Sequence, residues 1–431
     1  MSSVRSAIVG TLLCLAVSVG VGAQSIAGLS ASALPPEHVD IRLEFRDYVE
    51  APLVEVYRLR EVTRRSRVSG LDVRVSVERN DTYTYLLFVP ARDGGFPVNS
   101  AGTYVLRRSG ENGAISQLKI FLRDDERFFV RIRPDTAARS LMTVTLAGYP
   151  VHTDVPIPMS IQTIMEEPLQ ELLRVTSRLV QWQWFFPEID PTAYRGVREM
   201  ALRARAALHT LPDAEDGAMD ENGRLVFIES LVLQDQQPGF NCSGFAKWIV
   251  DGLHMGLYGS YLSIEPLKEK HTELRGHRWS EAQEESRDPY FGLDWTRNLG
   301  AVMLYAEQGG APVHPEAADV RDVPYGTYVE DVGFPVSQLA QIMYVLAVGE
   351  PGYLYLASVN REFGAEPRLH QHVHVVVLFP YFDENGQFLV DVMERNVETG
   401  LESLDRRYHN DDIHLVRIRA DLSYAPPIIR N

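Results

Sequence analysis

Apolar and polar residues alternate from Leu71 to Glu78, with Leu71, Val73, Val75 and Val77 on one side and Asp72, Arg74, Ser76 and Glu78 on the other. Successive side chains of an extended chain point to opposite faces, so the pattern predicts a strand with one buried face. Asn80-Asp81 punctuates before a second run, Tyr83 to Val89, which predicts a hairpin. Short apolar runs follow at Thr103 to Leu106, Ile115 to Leu122, Phe128 to Ile132 and Leu141 to Ala147, separated by turn residues such as Glu111-Asn112-Gly113 and Pro134-Asp135. Six or seven strands over residues 39–151 predict an antiparallel β-sandwich.

The period then lengthens. Leu169, Leu172, Leu173, Val175 and Leu179 recur at helical spacing and lead into Trp182-Gln183-Trp184-Phe185-Phe186. Aromatics at this spacing predict core; lining a cleft is the alternative. Asp190-Pro191 reads as an N-cap followed by proline in the first turn, with Val197, Ala201, Ala204 and Leu208 on one face. Residues 158–212 are therefore expected to form a helical connector, and residues 222–431, which mix both periods, a second domain. The fold class expected is α+β.

At 431 residues the chain has room for two or three domains of about 100 to 200 residues. It opens with a polar stretch to Arg5, an apolar run from Ala7 to Val21, and small residues at Val21-Gly22-Ala23. Residues 1–23 are thus expected to be a signal peptide and the protein periplasmic or secreted. Residues 24–38, Ser/Ala-rich and containing Pro35-Pro36, are expected to be an extended linker. The apolar run is shorter than the roughly 20 residues that span a bilayer, and no later window rivals it, so no integral membrane span is expected. A formal charge of −16 repels phosphate backbones and excludes nucleic acid as a natural partner.

Of the two cysteines, Cys14 lies inside the signal run, leaving Cys242 alone in the mature chain. A lone thiol in an oxidising compartment is either buried or used. Around it, Pro238-Gly239-Phe240-Asn241-Cys242-Ser243-Gly244-Phe245 passes from turn residues into a helical pattern carried by Phe245, Ile249 and Leu253. Cys242 is therefore expected at a helix N-terminus, where free N–H groups and the helix dipole favour the thiolate. The turn Asn241, Ser243 and Gly244 would frame the nucleophile and an oxyanion hole. The run from Leu369 to Phe379 reads as a strand with His370, His372 and His374 near its start, any of which could serve as base. Because alternate strand residues share a face, the three also invite a zinc reading, but no further ligand stands out, so neither metal nor cofactor is expected. A hairpin partner, Gly386 to Met393, brings Asp391 or Glu394 as the group that orients the imidazole.

Asn241-Cys242-Ser243-Gly244-Phe245 resembles the DCSGF-type nucleophile motif of the NlpC family of cell-wall cysteine peptidases. Glu350-Pro351-Gly352-Tyr353-Leu354-Tyr355-Leu356 is similar to that family's PGDLVFF strand, and His374-Val375-Val376-Val377-Leu378 to its HVGIYL strand, in the same order. The chain departs from the pattern at Asn241, where the family has an acidic residue, and at Tyr353, where it has aspartate. The resemblance implies a C-terminal papain-like α+β domain that cleaves amide bonds in peptidoglycan stem peptides. It makes Cys242 the nucleophile and His374 the base, with a polar third residue from the strand after; on the strand reading His372 is the alternate base, Asp391 the expected third residue and Glu394 its alternate. A thiol acyltransferase and a non-catalytic envelope-binding protein are the competing expectations.

Overall fold

The computed structural model describes residue 29 and residues 33–271, 288–363 and 369–430. The expected signal peptide, and all of the expected linker before residue 33 except Leu29, lie outside the described residues. From Ala33 onward the supposed linker is packed. His38 is buried with its Nε2 2.7 Å from the Gly102 carbonyl, and the Glu37 carboxylate accepts from Arg42 Nη1 (2.7 Å) and the Leu169 N–H (2.6 Å).

Three short helices come first, α1 (Val39–Glu44), α2 (Asp47–Glu50) and α3 (Leu53–Val56). Eight strands follow: β1 (Val62–Arg65), β2 (Asp72–Arg79), β3 (Tyr83–Pro90), β4 (Tyr104–Ser109), β5 (Ile115–Phe121), β6 (Phe129–Thr136), β7 (Arg139–Leu146) and β8 (Tyr149–Ile157). The alternation identified the hairpin correctly: Val73 and Val75 are buried, and Asn80 Oδ1 closes the turn by accepting the N–H groups of Thr82 (3.0 Å) and Tyr83 (2.8 Å). The expected β-sandwich is corrected. All eight strands form one antiparallel sheet in which each strand pairs with the next along the chain. Period two fixes which face of a strand is buried; it carries no information on whether the buried faces belong to one sheet or two. Here helices cover the apolar face: α4 (Ile161–Glu166) and α5 (Leu169–Thr176) contribute Ile161, Ile164, Met165, Leu169, Leu172 and Leu173 to the same core.

The helical stretch behaves as its spacing predicts. Asp190 Oδ1 caps a 3-10 turn at Pro191–Tyr194 by accepting from the Thr192 N–H (2.9 Å), and α6 (Arg195–Leu208) buries Val197, Ala201, Ala204 and Leu208. Trp182, Phe185 and Phe186 are buried in the core, the first of the two readings of that cluster.

Beyond a two-stranded ribbon, β9 (Ala218–Met219) and β10 (Leu225–Val226), come α7 (Cys242–Tyr258), α8 (Phe291–Glu307) and α9 (Leu339–Gly349). A second antiparallel sheet holds β11 (Phe334–Pro335), β12 (Tyr353–Phe363), β13 (Leu369–Phe382), β14 (Phe388–Glu394), β15 (Val397–Thr399) and β16 (Asp412–Arg419), in the order β11-β16-β12-β13-β14-β15. The last helix, α10 (Leu401–Tyr408), precedes β16. Val375 to Phe379 is unbroken apolar because both faces of this sheet are covered. Leu354, Leu356, Val375 and Val377 pack with α6, α7 and α8, whereas Tyr355, Ala357, Val376 and Leu378 join the core that also contains the first sheet. The two sheets thus share one apolar core, with the Phe128 ring 4.7 Å from that of Tyr344 on α9. Among the described residues no helix is long and apolar enough to cross a membrane.

Candidate active site

Cys242 is the first residue of α7, with Asn241 as its N-cap. The Asn241 side-chain oxygen accepts the Gly244 N–H at 2.8 Å, the task an aspartate would perform there, and the Asn241 carbonyl accepts the Phe245 N–H at 2.9 Å. Among the described residues the N–H groups of Cys242 and Ser243 take no acceptor, so two donors remain free beside the sulfur. The helix start is pinned from three sides. The Asn241 N–H donates to Gly217 O (3.1 Å), Trp295 Nε1 of α8 donates to Ser243 O (2.9 Å), and the buried Lys247 ammonium bonds Met219 O (2.8 Å) and Asp251 (2.6 Å). Gly244 is required by this docking: a Cβ there would stand 1.9 Å from the Gly217 carbonyl oxygen and 2.9 Å from Ala218 Cα. Both obstacles are backbone and cannot swing away, so Gly244→Ala is expected to lower stability by about 3 kcal/mol, read from the denaturant midpoint.

His374, on β13, lines the same cavity as Cys242 and stands close enough for each group to shift the other's protonation. Its Nε2 lies 2.7 Å from Glu394 Oε2, which leaves Nδ1 for the sulfur. Burial alone would raise the thiol's pKa, but the His374 hydrogen bond and charge, the Val375 N–H and the Arg395 charge together bring it below the usual thiol range. Burial likewise works against the imidazolium, yet the bonds to Cys242 and Glu394 outweigh it and raise His374 to about 9. Glu394 is buried, which opposes its charge, but His374, Arg407 and Thr399 bring it down to about 2. Thr399 Oγ1 donates to Glu394 Oε1 (2.5 Å), Arg407 Nη1 to Oε2 (2.9 Å) and Nη2 to Oε1. Tyr408 lies along the His374 ring, 6.1 Å between centroids and 27° from parallel.

Asp391, expected as the third residue, is elsewhere. It accepts from Arg205 of α6 (2.7 Å) and Tyr381 (3.2 Å), while Glu394, the alternate, takes the imidazole. Continuing the register Val377↔Met393 and Leu378↔Val392 places position 394 opposite 376, so Glu394 shares a face with His374 and Asp391 lies on the other. His372 lines the cleft wall but is engaged away from the sulfur, with Nδ1 2.8 Å from Ser358 Oγ and Nε2 3.0 Å from Asn360 Nδ2. Burial first, then the His414 charge, lower it to about 3, so it stays neutral. His370 faces the Asn360 side-chain oxygen at 3.1 Å. His370 and His372 therefore share Asn360 while His374 meets Glu394, and among the described residues no group of three or more His, Cys, Asp or Glu side chains converges as a metal site. Arg407, Thr399 and Tyr408 were not foreseen; nothing in the polar pattern of residues 399–408 separates them from an ordinary solvated helix.

The thiol opens into a cavity of about 650 Å³ whose lining includes Glu215, Asp216, Glu229, Asp288, Phe291 and Arg395. This is large enough to hold several residues of a peptide.

Residues 32–184 match the model of a domain of unknown function, DUF8515. The DUF8515 region comprises the first sheet with α1 to α5 and ends before α6, so it contributes none of the residues around the thiol. No curated protein and no solved structure matches the chain.

Proposed function

We propose that this protein is an exported cysteine hydrolase of the papain-like, NlpC type, and that it cleaves amide bonds in peptidoglycan stem peptides. The observation that carries the reading is the relay Cys242–His374–Glu394 at the start of α7, beside two free N–H groups and a peptide-sized cavity. A nucleophile, a base oriented by a carboxylate and an oxyanion hole are the parts that acyl transfer requires. The order of the motifs along the chain supports the choice of family, and the leading apolar run supports export.

In this mechanism the Cys242 thiolate attacks the scissile carbonyl carbon, and the Cys242 and Ser243 N–H groups hold the oxyanion. His374 gives its proton to the leaving amine as the C–N bond breaks, leaving a thioester. His374 then takes a proton from water, whose oxygen displaces the thiolate and releases the carboxylic acid.

The sign of the pH dependence follows from the two shifts. Cys242 is held below the ordinary thiol range and His374 at about 9, so the thiolate–imidazolium pair fills the interval between them. Alkylation of Cys242 by iodoacetamide is therefore expected to persist to lower pH than that of a free thiol, whose pKa is about 8.5. In His374→Ala, where burial still opposes the thiolate and the largest opposing influence is gone, the rate profile should move to higher pH.

The test of function is mass spectrometry of muropeptides incubated with residues 24–431. New fragments carrying a free amine and a free carboxylate at one stem-peptide bond are expected; intact muropeptides with a reactive Cys242 would remove peptidoglycan as the substrate.

A further inference from the structure

We infer that Arg407 is a positioning residue of this site, holding the Glu394 carboxylate charged and aimed at His374 while the imidazole gains and loses its proton. The inference rests on the hydrolase reading and adds to it a group that touches neither substrate nor sulfur.

The Glu394 side chain is only 5% exposed, yet it carries a full charge bonded to His374 on one side and to the two terminal guanidinium nitrogens of Arg407 on the other. While His374 is an imidazolium the carboxylate has a partner. Once the proton passes to the leaving amine, a carboxylate left beside a neutral ring would be a buried, uncompensated charge, which proteins neutralise by taking up a proton. A protonated Glu394 would no longer draw the Nε2 proton, and the ring would be free to turn. Guanidinium keeps its charge at any working pH and its planar fork matches the two carboxylate oxygens, so Arg407 compensates Glu394 in both states of the ring.

The other charged and titratable groups around the relay do not replace it. Cys242 faces the ring from α7 and is itself the anion, and Tyr408 of α10 contributes a phenol whose burial raises its pKa. Arg395, just past β14, pairs with Asp213 (2.9 Å), and the neutral His372 of β13 is held by Ser358 and Asn360. The cavity carboxylates Glu215, Asp216, Glu229 and Asp288 add negative charge on the substrate side.

The role has a signature that loss of packing does not mimic. Removing a fixed positive charge a few ångströms from the proton shared by His374 and Glu394 tightens that proton, whereas loosening α10 would let water in and return His374 towards its ordinary value near 6.5.

The experiment is a pH titration of ¹³C-labelled histidine by NMR on residues 24–431, with the His374 signal identified by its loss in His374→Ala. Arg407→Gln is expected to move the His374 titration up by about one pH unit. Arg407→Lys, which keeps the charge, and Thr399→Val, which removes a neutral bond, should leave it in place. Arg407 is 40% exposed, and Arg407→Met, which keeps the apolar stem, is the second charge-free variant with the same expected shift. A His374 titration that stays put or falls in both charge-free variants, or unfolding of both, overturns the inference. The hydrolase reading fails separately, if wild-type His374 already titrates near 6.5 and Cys242 is alkylated as an ordinary thiol.

Discussion

Cys242→Ala is expected to reduce stem-peptide cleavage by about 10⁴-fold or more, with fold and stability unchanged. The side chain is small, partly exposed and at the first position of α7, where its removal opens no cavity. What is lost is the covalent route itself. Attack by water, assisted only by the two N–H donors, is all that remains. His374→Ala should cost about as much, because an unactivated thiol is a poor nucleophile towards an amide and the leaving amine has no proton donor. The double variant should be no worse than either single one, since the two groups act as a unit. Initial rates from the muropeptide assay, with thermal unfolding as control, decide the matter. A Cys242→Ala protein within tenfold of wild type would locate the chemistry outside α7.

The second large effect separates the two acidic residues of β14. Glu394→Gln is expected to lower kcat by about 10² to 10⁴-fold, whereas Asp391→Asn should change it less than about threefold. For His374 to accept the thiol proton at Nδ1, its Nε2 must already carry a hydrogen and donate it to position 394. Arg407 and Thr399 both donate to this side chain, so a glutamine would turn its carbonyl to them and its NH₂ to Nε2. That amide favours the opposite tautomer, with the hydrogen on Nδ1, facing the sulfur. The basic limb of the pH profile should also fall from about 9 towards ordinary imidazole, because the carboxylate that stabilises the imidazolium is gone. Asp391 has no such part. Its partner Arg205 keeps two bonds to Glu398, at 2.5 and 2.6 Å, after the substitution. Equal losses at the two positions would mean that the Glu394 contact does not operate in catalysis.

The sequence made individual elements legible where a short-range rule governs them. Alternation located β2 to β7, and the change of period located α5 and α6. Turn residues followed by Phe245, Ile249 and Leu253 located the start of α7 within one residue. Strands β1 and β8 escaped: β1 carries Thr63, Arg64 and Arg65 and is largely exposed, and β8 is interrupted by Pro150 and Pro156. The region before them, Val39 to Val56, turns as three brief helices of four to six residues, too short for a helical period to emerge.

What the sequence determined by itself is the thiol and its setting: a single cysteine in the expected mature chain, an N-cap at Asn241, a glycine that admits the neighbouring backbone, and a histidine-bearing strand after it. These depend on residues within a few positions of one another, and the rules that govern them are local. The tertiary structure decided which histidine and which carboxylate meet. His372 and His374 are two positions apart and chemically identical, and it is the Ser358 and Asn360 side chains on β12, with the Asp331 carbonyl, that hold the first away from the sulfur. Asp391 and Glu394 are three apart, which puts them on opposite faces of β14, and only the register with β13 tells which face His374 shares. The pairing of the eight strands in one sheet, and Arg407 arriving from α10 behind Glu394, were likewise decided in three dimensions. Register and packing are set by the summed burial of whole faces rather than by any one residue, and so no single position announces them.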